Sequence, residues 1–588
     1  MRVVLAATAV LHTLPACCRP PAAVLLPTEG DLVASVANVR VTVDWETTLR
    51  RTNAVPTYLD QVNEAAFART SPIHDAAFSR IHEMGADGVR YLHWDANGFS
   101  EGIEAPPANG TNCSVWNFSR FDPYVVDFMN ASVGHQSVIN FAAPPGWYSE
   151  PCPHPPTCNN SGYLDPTGVK AGEYFSKVIS WYTEGGFTDE CGQKHVSGHY
   201  YNWTYWEVLN EVDTGSSGIH CKSWNNSAAS LDCARRYTAV FDGIVTVLKR
   251  DHPQLLFTGL VLAMPDCANA DVWFDFFLNS SNHRSPVREN LKEYLWAVSM
   301  HFYSENGYCQ GLAPWPEGWR SIGDNPGDVF LQSAQFISRA RKIQAIVDRA
   351  TPWVKTVANE IGMMAPMGSG PGSNYQDMNE TYDLFGADRW WWNLEAAQYS
   401  FIYASLAAIG YDQMAASQLT AQPGNAASIA MLDWTNGEGT AWYWVVKMFV
   451  DTLGSDTKSV HPTFIDGKRS EGAVRVAGDP DVCIHTMRPK AVAEQHVDAA
   501  FAQGFVIEAS GQQIVLVTNT RNQTLTVAVA GVKGGKLRTV DYSAGYRMKR
   551  WGERIMASDN VTLSGFGVGL VLLPAAASVT SSGAGATP

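Results

Sequence analysis

Eight short apolar runs, separated by segments with apolar residues at three- and four-residue spacing, constrain this chain more than any other feature. The runs are "VRVTVDW" (39–45), "DGVRYLHW" (87–94), "SVINFAA" (137–143), "TYWEVLNE" (204–211), "LLFTGLVLA" (255–263), "WAVSMHFY" (296–303), "KTVANEIG" (355–362) and "GYDQMAASQL" (410–419). Helical spacing is clear in "HDAAFSRIHEMG", "ARRYTAVFDGIVTVLKRD" and "FLQSAQFISRARKIQAIVDRA" between them. Strands that alternate with helices pair in parallel, because each helix carries the chain back to the start of the next strand. Eight such units over residues 36–454 predict an α/β fold, a TIM (β/α)8 barrel enlarged by insertions in its loops.

From about Ser455 the pattern changes to short alternating strands, "GFVIEAS", "QIVLVTNT", "TLTVAVAG", "LRTVDYSA" and "GVGLVLLP". This predicts a C-terminal antiparallel β-sandwich over 455–575, which "DLVASV" and residues 24–35 are candidates to join. A chain of 588 residues with 45% hydrophobic content is too long for one small core, so a barrel with an accessory domain suits it. Residues 576–588 are small, polar and Gly/Ser-rich, and are expected to be disordered.

Residues 1–23 combine an early Arg2, a short apolar run and small residues near Ala16, the layout of a secretory signal peptide, too short to span a bilayer. Acceptors of the Asn-X-Ser/Thr type at Asn109, Asn112, Asn117, Asn130, Asn159, Asn202, Asn225, Asn279, Asn379, Asn522 and Asn560 agree with a secreted glycoprotein. Eight cysteines lie between Cys113 and Cys309, namely those two with Cys152, Cys158, Cys191, Cys221, Cys233 and Cys267. In an oxidising compartment they are expected to form disulfides, with Cys152 and Cys158 the first candidate pair, and Cys483 stands apart. Zinc is the competing reading of "CPHPPTC", but a Pro-rich loop tied by a disulfide explains the same letters.

The net charge of -15 argues against nucleic acid or an anionic membrane as the main partner, and no segment after the leader reaches spanning length. Oligomeric state is left open. Twenty Trp and 22 Tyr serve a core first, and any that are spare can stack on the flat faces of sugar rings.

Two of the strand-like runs end in Asn-Glu: Asn210-Glu211 on the fourth and Asn359-Glu360 on the seventh. In a barrel of this type catalytic groups sit at the C-terminal strand ends, so these glutamates are expected to face each other across the mouth. A lone strand-terminal Glu is more often solvated or ion-paired. Two, on these strands, supply the pair that glycosidic-bond cleavage needs: an acid for the leaving oxygen and a carboxylate to attack or to activate water.

The "WEVLNE" and "NEIG" segments and the eight-strand order resemble the retaining glycoside hydrolases of the large barrel clan, clan A, and most of all the family 39-type group of β-xylosidase and α-L-iduronidase relatives. The resemblance runs from "SPIHDAAFSRIHEMGADGVRYLHW" through "MLDWTNGEGTAWYWVVKMFVDTLG" to the β-rich end. It implies that Glu211 is the general acid/base, that Glu360 is the nucleophile and that Asn210 binds the hydroxyl next to the reacting carbon. The usual pattern on the fourth strand is Asn-Glu-Pro, whereas Val212 stands third here.

Around this pair, Arg90 and Tyr303 are candidates to hold Glu360 ionised, and Trp203, Tyr205 and Trp206 to form an apolar wall beside Glu211. His93, Trp94, Asn140, Trp147 and His301 are candidates for sugar contacts, and Trp434 for the platform beneath the sugar. The expected function is a secreted retaining O-glycosidase that acts on an oligosaccharide, polysaccharide or glycoconjugate and needs neither metal nor cofactor. A transglycosylase using the same glutamates and a catalytically silent glycan-binding protein are the alternatives. Other chemistries lack their signatures. "GSGPGSNY" has no Lys-Ser/Thr, no His-Glu-x-x-His occurs, and no Ser sits in a convincing nucleophile elbow.

Overall fold

The computed structural model describes residues 39–574 apart from 62–64, 94–102, 108–112, 150–164, 215–218, 220–226, 264–269, 306–326, 365–389, 422–428, 471–473, 476–495 and 543–549. Eight parallel strands close into a barrel in sequence order: Val55–Gln61, Val89–His93, Ser137–Phe141, Tyr205–Glu207, Leu256–Leu262, Leu295–Glu305, Lys355–Met364 and Gln413–Ala416. The ring is completed where the eighth strand pairs with the first, Ala415 opposite Thr57. Helices follow the strands as the spacing predicts. The helix His74–Met84 buries Ala77, Phe78, Ile81 and Met84 along one stripe, each large side chain worth about 1.5–3 kcal/mol. It stops at Gly85, whose φ of 57° is the left-handed cap that a residue without Cβ adopts at least cost.

The expected first strand is in the wrong place. Residues Val39–Val43 do not enter the barrel; they pair with Thr463–Ile465 and Leu525–Val529 in a five-stranded sheet of the second unit. The barrel starts instead at Val55–Gln61, "VPTYLDQ". The reason lies in the two faces of a strand. Val39 and Val41 are buried while Arg40 and Thr42 are exposed, so this strand has one wet face, whereas a barrel strand is covered on both. Positions 56–60 are buried without a break, although Pro56 and Asp60 disguise the segment in the sequence.

The second unit is a pair of sheets. A seven-stranded antiparallel sheet contains Arg50–Thr52, Lys458–His461, Ala500–Ile507, Gln512–Asn519, Lys536–Val540, Gly552–Ile555 and Val568–Leu572, while Leu525–Val529 and Asn560–Leu563 lie in the five-stranded sheet. It packs on the barrel through the helix Trp390–Ile409, where Phe401 meets Phe501 edge-on at 4.9 Å and the Ser400 and Thr518 hydroxyls are 2.7 Å apart. Lys458, fully buried at this junction, donates to the Ala54 and Gly454 carbonyls, and burial pushes its ammonium down to about 8. No helix among the described residues is long and apolar enough to cross a membrane. The expected leader, "DLVASV" and residues 576–588 lie outside the described residues.

Asp60 is buried with no hydrogen-bond partner among the described residues on either carboxyl oxygen, and burial raises its pKa well above the usual carboxylate value. A carboxyl whose folded pKa exceeds its unfolded value contributes stability that is present at low pH and lost as pH rises through the folded value. Asp60→Asn therefore removes a destabilising slope of up to about 1.4 kcal/mol per pH unit above pH 4. Denaturant unfolding of both proteins from pH 4 to 8 checks this: the variant gains on the parent as pH rises, and a constant difference refutes it.

Candidate active site

Strand alternation brings Arg90 into the barrel interior and sends Tyr91 outward. The guanidinium is buried and reaches three partners. Its Nε donates to Glu207 Oε2 at 2.5 Å, one Nη to Glu360 Oε1 at 2.5 Å and the other to Asn210 Oδ1 at 2.6 Å.

Two backbone irregularities bring the glutamates to the same place. Along the seventh strand, Ala358 pairs with Met300 and Glu360 with His301, so Asn359 is an extra residue, a bulge. The bulge lets Asn359 and Glu360 both face the interior, which strict alternation forbids. Asn359 donates to Glu207 and Glu360 accepts from Arg90. After the fourth strand, Leu209 and Glu211 hold φ angles of 67° and 49°. Such left-handed non-glycine residues cost roughly 1–2 kcal/mol each and cluster where function demands an unusual chain path. Asn140 offsets part of that cost by donating to the Leu209 carbonyl at 3.0 Å.

A carboxylate oxygen of Glu211, one of Glu360 and a ring nitrogen of His301 lie within 4.8 Å of one another. His301 Nδ1 is 3.3 Å from each carboxylate. These three groups also form the one cluster among the described residues able to hold a metal ion, at a carboxylate that Arg90 already occupies. The Tyr303 hydroxyl donates to Glu360 Oε2 at 2.5 Å and lies the same distance from Ser417 Oγ, at the end of the eighth strand. Burial pushes the Glu360 carboxyl up, but His301, Arg90 and Tyr303 outweigh it and hold the group below its usual range. For His301, burial opposes the charge, and Glu360 and Glu211 together reverse this and raise its pKa. The two glutamates differ in access: the Glu211 side chain is 26% exposed and that of Glu360 7%.

Several expected contacts are placed elsewhere. His93 faces away from the barrel interior, its ring 4.5 Å from Phe121 and 5.9 Å from Phe141, and burial pushes its pKa down to about 3, so it is a neutral wall residue. The cause is alternation, which puts residue 93 on the same face as Tyr91. Asn140 is fully buried, and its amide nitrogen serves Glu207 and the Leu209 carbonyl. Trp203, Tyr205 and Trp206 do not wall Glu211. They pack on Tyr182, Trp296 and Phe141 respectively, because Tyr205 and Trp206 lie on the strand Tyr205–Glu207, ahead of the turn of chain that carries Glu211. Trp147 follows the third strand, is 36% exposed, and is fixed by donation to the Glu104 carbonyl and by packing on Tyr148. Trp434 follows the eighth strand, half-buried against the core. Trp94 lies outside the described residues.

Glu207, Asn359, Ser299 and Ser417 belong to the site and were missed from sequence. Glu207 had a signal: it lies inside the same "WEVLNE" run as the Asn210-Glu211 pair.

Of the cysteines, Cys113 and Cys191 are bridged, joining the Val115–Trp116 strand region to the Gly186–Val196 hairpin, and Cys233 is disulfide-bonded too. Cys152, Cys158, Cys221, Cys267, Cys309 and Cys483 lie outside the described residues.

The fold and the carboxylate pair define a class: a TIM barrel with a β-sandwich built from both ends of the chain. Solved structures share this architecture. It is similar to the family 51 arabinofuranosidase from Xanthomonas axonopodis pv. citri, at 14% identity and TM-score 0.55, covering 91% of this chain and 100% of that one. It is also similar to the family 51 α-L-arabinofuranosidase from Bifidobacterium longum, at 13% identity and TM-score 0.56, covering 92% and 99%. A third, the family 51 α-L-arabinofuranosidase from Thermotoga petrophila, matches at 12% identity and TM-score 0.53, over 91% and 100%. These likenesses establish the shared architecture over nearly the whole chain. No protein-family model and no curated protein matches the sequence.

Proposed function

We propose that the protein is a retaining O-glycosidase with Glu360 as nucleophile and Glu211 as acid/base. The observation that carries this reading is the approach of the two carboxylates, with oxygens within 4.8 Å. Retaining enzymes hold their carboxyl groups about 5–5.5 Å apart, and inverting ones leave about 6.5–9.5 Å for a water between them. The unequal surroundings support the division of labour. Glu360 is buried and kept ionised by Arg90, His301 and Tyr303, as an attacking carboxylate requires. Glu211 is the more open of the two, as suits a group that serves first the departing alcohol and then water.

Glu360 attacks the anomeric carbon while Glu211 gives its proton to the leaving oxygen, and a glycosyl ester forms on Glu360 as the alcohol departs. Water then surrenders a proton to Glu211 and displaces Glu360, restoring both groups and the original anomeric configuration. Asn210, whose side-chain nitrogen is buried with no hydrogen-bond partner among the described residues, is placed to donate to the hydroxyl beside the reacting carbon. Trp147 and Trp434 are the candidate stacking surfaces at the strand ends.

The family 51 neighbours and the family 39-like motifs together favour a pentosyl unit, arabinofuranosyl or xylosyl, as the sugar released. Secretion is part of the same reading. The Cys113–Cys191 bridge fits an oxidising compartment, and the sequon residues Asn117, Asn130, Asn202, Asn279, Asn522 and Asn560 are all exposed.

The test is a panel of chromogenic arabinosides, xylosides, glucosides, galactosides and uronides, with the product anomer read by NMR before mutarotation. Release of the first-formed sugar with retained configuration is expected. Cleavage with inversion, or no cleavage of any glycoside, rejects the reading.

A further inference from the structure

The carboxylate of Glu207 lies inside the barrel below the two glutamates, 1% exposed, and the mechanism above does not use it. It accepts from Arg90 Nε at 2.5 Å, Asn140 Nδ2 at 2.6 Å, Asn359 Nδ2 at 2.7 Å and Ser299 Oγ at 2.9 Å. Those donors come from the second, third, seventh and sixth strands, so one carboxylate ties four strands to its own. A buried anion with four donors is held in place far more strictly than a surface pair, and so is its one charged partner.

We infer that Glu207 is a positioning residue that shares the charge of Arg90 with Glu360, and so sets both the orientation and the proton affinity of the nucleophile. Arg90 offers a different nitrogen to each of Glu207, Glu360 and Asn210. Its Nε is spent on Glu207, which fixes the guanidinium plane and leaves a single nitrogen for Glu360. It also directs the other terminal nitrogen at the Asn210 side-chain oxygen Oδ1, which turns the side-chain amide nitrogen away. The groups facing Glu360 are Arg90 from the second strand, His301 and Tyr303 from the sixth, and Glu211 beyond the fourth. Glu207 is not among them, and it acts on Glu360 through the shared cation.

Removing the Glu207 charge while keeping an acceptor leaves the whole of the Arg90 charge to Glu360. Glu360 then holds its proton less tightly. The inference rests on the glycosidase reading for its kinetic test, and a second test does not need it. In Glu207→Gln, the acidic limb of the kcat/KM profile is expected to move down by about half a pH unit or more, with kcat and kcat/KM falling together about tenfold. A merely structural role lowers the unfolding temperature and leaves the limb where it is.

The second test follows carboxyl carbons directly, in protein labelled at glutamate and with the Glu360 signal assigned by its loss in Glu360→Gln. The Glu360 titration midpoint is expected to be lower in Glu207→Gln than in the parent. A midpoint that is unchanged or higher, with the variant folded, overturns the inference. If the protein cleaves no glycoside, the functional reading fails and the carboxyl titration still decides the role of Glu207.

Discussion

Glu360→Ala is expected to abolish turnover on every substrate, by at least about 10⁴-fold, because no step proceeds without the group that forms the glycosyl ester. Glu211→Ala is expected to behave differently. A natural glycoside needs a proton on its leaving oxygen and should lose about 10²–10⁴-fold, whereas an activated aryl glycoside departs unaided and is spared in the first step. Azide should restore part of the activity of Glu211→Ala by attacking the ester where the general base is missing, giving a glycosyl azide of retained configuration. Added to Glu360→Ala, azide enters from the face the nucleophile has vacated and should give the inverted azide. Near-normal turnover of an activated substrate by Glu360→Ala would falsify the nucleophile assignment. Steady-state kinetics with product NMR distinguishes all four cases.

The second large effect is on stability. Arg90→Met leaves Glu207 and Glu360 as neighbouring buried carboxylates with their common cation gone. Breaking a buried pair from one side costs about 3–5 kcal/mol, and here two anions are stranded together. The pH dependence follows from the depressed pKa of Glu360. Its folded value lies below the unfolded one, so the parent carries stability from this group above the unfolded pKa and loses it as pH falls through the folded pKa. The variant loses that contribution and its remaining activity needs a higher pH. Urea unfolding at pH 5 and pH 7, with the acidic limb of any residual activity, checks both parts. A limb that moves down in Arg90→Met would contradict the assignment of Arg90 as the group holding Glu360 ionised.

Opposite displacements are thus expected from two neighbours: upward for loss of the cation, downward for loss of the anion that shares it. Protein folding alone cannot produce that pair of signs. It makes the Arg90–Glu207 contact a charge-setting device that the two variants can test against each other.

Seven of the eight barrel strands and the β-rich end were legible because they depend on local pattern. Apolar runs bounded by turn residues mark strands buried on both faces, and three- and four-residue spacing marks the helices that cover them. The first strand escaped because Pro56 and Asp60 interrupt "VPTYLDQ", while "VRVTVDW" offers a cleaner run whose alternation belongs to a one-faced sheet. His93 escaped for a related reason. Being at a strand end says nothing of which face a side chain takes, and one residue changes the answer.

By itself the sequence determined the class of fold, the apolar runs that carry Asn210-Glu211 and Asn359-Glu360, and the residue types around them, since all of these follow from pattern within a few turns of chain. In the structure Asn210-Glu211 lie just past the strand Tyr205–Glu207 and Asn359-Glu360 inside the strand Lys355–Met364. Only the tertiary structure decided that Glu207, Arg90 and Glu360 form one charged line, that a bulge at Asn359 turns two successive residues inward, and that residues 39–43 leave the barrel for the sandwich. These contacts join residues far apart in the chain, Arg90 with Glu360 at 270 positions and Val41 with Ile465 at 424 (465 minus 41). Their geometry is set by barrel closure and strand register, which no local preference encodes.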